Sequence, residues 1–159
     1  MLRWPRALAA SLTLALGVVA GLGGCGGPGA VTLTPTPSPS GADRAGCLRL
    51  ASSLPGTVGV GLHRRTVKPA SPFTAAWGSP PVALSCGVSG LARSYRPDVT
   101  LAEVDGVGWF TEDVGDRVRY STPTRLPQVV VTMPADLQAF EVLADLGGPV
   151  LAATRARVP

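Results

Sequence analysis

Hydrophobic and polar positions alternate most regularly over residues 82–86, where Val82, Leu84 and Cys86 point one way and Ala83 and Ser85 the other. A two-residue period of this kind predicts a strand buried more deeply on one face. Pro80 and Pro81 precede it and lack N–H donors, so they mark its mouth or an edge. The same alternation, diluted by glycine, covers Val58, Val60 and Leu62 and predicts a loosened strand within residues 57–68. Asp105-Gly106 between Val104 and Val107 has the chemistry of a two-residue hairpin turn with positive φ. Beyond an acidic turn at residues 112–116, Val118 and Tyr120 alternate with Arg117 and Arg119, which predicts a half-exposed strand with an arginine face. The β-branched run at residues 128–132, closed by Pro127 and Pro134, predicts another short strand.

Helical spacing appears twice. Cys47, Leu48, Ala51 and Leu54 recur before Pro55-Gly56 and predict a short amphipathic helix from about Ala45. Leu137, Phe140, Leu143, Ala144 and Leu146 predict a second, ending at Gly147-Gly148 with a glycine cap and followed by one last helical turn from Pro149. Residues 90–100 show no period and read as a surface loop. Two helices around a set of short strands predict an α+β fold: one small domain with an antiparallel or mixed sheet of four to six strands and helices on one face.

The first residues follow a different pattern. Arg3 and Arg6 precede an uncharged apolar run at residues 7–20, and small residues lead to Cys25, which is the three-part layout of an export signal. The apolar run is shorter than the roughly 20 residues that span a bilayer. Leu22-Gly23-Gly24-Cys25 resembles the lipobox of bacterial lipoproteins, which implies cleavage before Cys25 and attachment of a diacylglyceryl group to its thiol. Ordinary cleavage near Ala30 and an uncleaved helix are the weaker alternatives. This divides the chain into a signal at 1–24, a lipidated Cys25 with a disordered Gly/Pro/Ser/Thr tether at 25–43, and a globular domain at 44–159. The tether, with its Thr-Pro and Ser-Pro alternation, favours polyproline II geometry and would hold the domain tens of ångströms off the membrane.

Composition narrows the chemistry. The chain of 159 residues has a formal charge of +4; without Arg3 and Arg6, 12 basic and 10 acidic residues remain, so the balance is +2 and a nucleic-acid partner is not expected. Lys68 is the one lysine, and the Ala, Gly, Pro, Val and Arg richness fits a GC-rich genome. In an oxidising compartment the two cysteines left after Cys25, Cys47 and Cys86, are expected to pair. No catalytic residue, metal site or cofactor is expected. His63 is the sole histidine and there is no Gly-x-Ser-x-Gly elbow, while Glu112, Asp113 and Asp116 lack the ligand alternation of a calcium loop. Gly59-x-Gly61 lacks the lysine of a phosphate loop. Trp77 and Trp109 are expected in the core, with a sugar or lipid pocket as the rival reading. Arg64, Arg65, Arg117 and Arg119, with Arg125 nearby in kind, are a candidate anion-binding face, because guanidinium forks suit phosphate and carboxylate; the rival is an ordinary solvated face.

Cys47-x6-Leu54-Pro55, Ala75-Ala-Trp77-Gly78-x-Pro80, Leu84-x-Cys86-Gly87-Val88 and Val104-Asp-Gly-Val-x-Trp109 together resemble an actinobacterial family known as domain of unknown function 3515. The resemblance covers residues 47–151. It implies an exported or lipid-anchored envelope protein and supplies no activity and no catalytic residues. The expectation is therefore a lipid-anchored module at the outer face of the cytoplasmic membrane that binds or assists an unknown envelope protein or anionic envelope component. The alternative is a small-ligand or anionic-lipid binding protein with a pocket between sheet and helices.

Overall fold

A computed structural model describes residues 29–157. The signal and Cys25 lie outside the described residues. From its N-terminus the described chain runs β1 (Val31–Thr32), α1 (Gly41–Ser53), β2 (Thr57–Val58), β3 (Leu62–Arg65), β4 (Val67–Lys68), β5 (Thr74–Trp77), β6 (Val82–Cys86) and β7 (Ala102–Val104). It continues through β8 (Val107–Val114), β9 (Arg117–Ser121), β10 (Arg125–Leu126), β11 (Val129–Pro134), α2 (Ala139–Ala153) and β12 (Arg155–Ala156).

The fold is α+β, with two helices and a principal sheet of eight strands ordered β2-β3-β5-β6-β11-β9-β8-β7. Every neighbouring pair in that sheet is antiparallel. Two four-stranded meanders thus meet along β6 and β11, the two strands whose sequence alternation and β-branched content are clearest. The count exceeds the expected four to six for identifiable reasons. Positive φ at Gly59 and Gly61 (51° and 73°) folds residues 57–65 into a hairpin instead of one loosened strand. Thr74–Trp77, buried on both faces and so without alternation, is an additional strand.

The helices pack on one face. Residues directly opposite each other in an antiparallel pair share a face, so Trp77, Val82, Leu84, Cys86, Val104, Val107, Trp109, Val129, Val131 and Met133 face α1 and α2 and join their apolar residues in one core. Cys47 of α1 is bonded to Cys86 of β6, with Cα atoms 5.6 Å apart, as expected. On α1 the buried residues are Gly46, Cys47 and Leu50, whereas Leu48 is exposed, so the helix is turned from the expected face. The turn brings Gly46 against α2: a Cβ there would lie 2.7 Å from Pro127 Cδ and 2.8 Å from the Ala153 carbonyl oxygen. Gly46→Ala should therefore lower stability by about 1–3 kcal/mol through overpacking, although alanine is the better helix former. Urea unfolding of the variant reads this directly, and an unchanged or raised midpoint would show that the helices can part without cost.

α2 does not stop at Gly147-Gly148. It continues through Pro149 to Ala153, burying Val142, Leu143, Leu146, Val150 and Ala153, while Phe140 is exposed. Gly147 serves a close approach, since a Cβ there would lie 2.8 Å from Asp105 Cβ in the β7–β8 turn. That turn is the predicted two-residue hairpin, with φ of 47° at Asp105 and 73° at Gly106. The expected acidic turn is displaced: Glu112 and Asp113 belong to β8, and Gly115-Asp116 make the connection to β9.

The segment assigned to a disordered tether is, over its described part, docked on the domain. β1 pairs in parallel with β4, Leu33 N–H donates to the Lys68 carbonyl at 2.9 Å, and Val31 is buried. Further along, Pro39 covers Gly87, where a Cβ would meet its ring at 2.6 Å and φ is +80°. The reason is that threonine and proline already favour extended backbone, and the open face of the sheet is low enough to receive it.

Candidate functional site: the strapped face of the sheet

The sheet face turned away from the helices is built from small and polar side chains. One transverse row across it reads Arg65, Ala76, Ala83, Thr132, Arg119, Glu112. The next reads Thr74, Ser85, Val130, Ser121, Phe110. Alanine, serine and threonine make a trough in the middle, with guanidinium groups at its sides. Residues 31–39 cross this trough as a strap. Two grooves remain beside it, one of about 360 Å³ reaching Ala83, Thr132 and Arg117, the other of about 540 Å³ reaching Ser85, Val88 and Arg119.

The structure does not bring the four candidate arginines together as one patch. Arg65, Arg117 and Arg119 lie on the strapped face, but Arg64 follows Trp77 onto the helix-facing side, its guanidinium 4.7 Å from the indole centroid. Burial lowers the pKa of Arg64 from its ordinary value. Each of the other three has partners within the chain. Arg65 donates to the carbonyls of Gly78 and Gly29, fastening the start of the strap. Arg117 donates to the carbonyls of Pro81 (2.6 Å) and Thr132 (3.0 Å). Arg119 pairs with Glu112 at 3.2 Å, and Ser94 donates to the other oxygen of that carboxylate. Arg125 caps the end of α2, donating to Thr154 Oγ1 at 2.6 Å and to the Thr154 carbonyl at 3.1 Å. Alternation along the strand located these side chains; nothing local in sequence could name carbonyl acceptors that come from distant segments of the chain.

The space between sheet and helices is filled. Trp77 and Trp109 are fully buried in the core cluster, as expected, and the two grooves lie on the opposite face of the sheet. Trp77 Nε1 donates to the Pro55 carbonyl at 2.9 Å, while Trp109 Nε1 has no partner among the described residues. Tyr120, packed at the border of the core, has its phenol pKa raised by burial and further by Asp113. His63 is exposed with Nδ1 3.1 Å from Thr57 Oγ1. Among the described residues no three His, Cys, Asp or Glu side chains gather as a metal site, and no helix is long and apolar enough to cross a membrane.

A family described as protein of unknown function (DUF3515) matches residues 7–158. No curated protein and no solved structure matches the chain. The match takes in both meanders, both helices and the strap, and the chain belongs to the DUF3515 family.

Proposed function

We propose that the protein is a lipid-anchored cell-envelope module, a non-catalytic binding or accessory domain at the outer face of the cytoplasmic membrane. The observation that carries this reading is Leu22-Gly23-Gly24-Cys25 placed directly after a charged start and a short apolar run. A disulfide in the core supports it, because such bonds persist on the oxidising side of the membrane. Two acyl chains on Cys25 would hold the protein firmly, at about 0.8 kcal/mol per buried methylene. The alternative, binding of a small or anionic ligand, would use the strap grooves beside Arg117 and Arg119 instead of a space under the helices.

Mass spectrometry of the membrane fraction tests the anchor. A mature chain beginning at Cys25 and carrying a diacylglyceryl mass is expected, and Cys25→Ala should release the protein from membranes. An unmodified N-terminus further along the chain would overturn the reading.

A further inference from the structure

We infer that the strap seats the domain directly on the bilayer, with the β2–β3 turn and the first turn of α2 as its lipid-contacting end. This rests on the lipid anchor proposed above. β1 runs parallel to β4, and the carbonyl of Gly29 is held by Arg65, so the chain enters the fold from the end of the sheet at which β3 begins. Gly29 stands four positions after Cys25. Four residues reach at most about 14 Å at full extension. A domain whose entry point is tied down that close to its acyl chains cannot hang tens of ångströms away.

The end of the fold nearest that entry point is defined by its turns. The β2–β3 turn, the β5–β6 turn and the β8–β9 turn all lie there, by the antiparallel order of the strands. α2 starts at the same end: Gly59 N–H donates to Asp145 at 2.7 Å, and a Cβ on Gly59 would lie 3.0 Å from Val142. Three large apolar side chains are exposed at this end: Val60 at the tip of the β2–β3 turn (82 %), Phe140 in the first turn of α2 (67 %) and, less so, Val114 beside the β8–β9 turn (44 %). Val60 and Phe140 are the most exposed large hydrophobic side chains among the described residues. A bilayer boundary accepts such groups, whereas water does not favour them. Asp116, Asp136 and Glu141 lie at the same end, so the contact is apolar and gains nothing from anionic lipid. The occupant is the phospholipid surface itself.

The test uses the full lipoprotein in neutral phosphatidylcholine vesicles containing lipids brominated on the acyl chain, which quench tryptophan at contact. Trp77 and Trp109 are buried, so the parent protein sets the baseline. Val60→Trp and Phe140→Trp should each add fluorescence that brominated lipid quenches, while Leu151→Trp should not, because Leu151 lies against Gly106 at the opposite end. Inserting sixteen Gly/Ser residues between Cys25 and Gly29 should abolish the quenching and leave the protein membrane-bound. Lipidated protein in which Val60→Trp and Phe140→Trp are quenched no more than Leu151→Trp overturns the seating and leaves the anchor standing. Protein without lipid on Cys25 overturns both.

Discussion

Replacing Cys47 and Cys86 together by alanine should cost about 4 kcal/mol of folding stability, an upper figure from the chain-entropy model for a bridge with a sequence separation of 39. Against a net stability on the order of 5–15 kcal/mol for a domain of this kind, that is about a quarter of the total or more. The position of the bridge matters as well as its loop. Cys47 and Cys86 are 0 % and 1 % exposed, so the bond joins α1 to β6 inside the core, and alanine at both positions also removes two buried sulfur atoms. Between the bridged residues lie β2, β3 and β5, three of the four strands of the first meander, whose unfolded freedom the bond restricts. Urea unfolding of oxidised protein, reduced protein and the double variant separates these effects. Reduction should account for most of the loss, and the double variant should add a smaller packing cost. A midpoint unmoved by reduction would mean that the helix and sheet hold their docking without the bond.

How far this fold could be read in advance depended on whether the deciding interaction was local. β6 and the β7–β8 turn were legible, since alternation and an Asp-Gly pair carry their own instructions. α2 beyond Gly147-Gly148 was not: glycine and proline signal a stop, but burial of Val150 and Ala153 against the core, and the close approach of Asp105 to Gly147, favour continuation. Glu112 and Asp113 looked like a turn because acidic residues are poor strand formers, yet Glu112 faces Arg119 across the ladder and is satisfied there. The strap was the largest miss. Its Thr/Pro composition states only that it will be extended; that it lies in a trough of alanine, serine and threonine follows from residues about 35 to 100 positions downstream. The candidate site divides the same way. Arg117 and Arg119 share a face as their spacing required, and Arg64 and Arg65, as neighbours in β3, take opposite faces; which of the two joins the strapped face is set by the pairing of β3 with β5.

The two central tryptophans give the second large effect and a contrast within it. Trp77→Ala should destabilise the domain by about 3–5 kcal/mol, the usual cost of removing a fully buried large aromatic from a packed core. The loss would include the packing of Arg64 over the indole and would leave the Pro55 carbonyl without its donor, loosening the link between the end of α1 and the sheet. Phenylalanine separates the hydrogen bond from the bulk. Trp77→Phe keeps an aromatic ring but removes the Nε1 donor; Trp109→Phe makes the same change in volume at a site where Nε1 has no partner among the described residues. Trp77→Phe should therefore be the costlier of the two by about 1 kcal/mol, the net worth of one hydrogen bond. Urea unfolding of both variants under one set of conditions measures the difference. Should Trp109→Phe prove equally or more costly, the Trp77 to Pro55 bond contributes nothing net, and the tryptophan holds the loop by its shape alone.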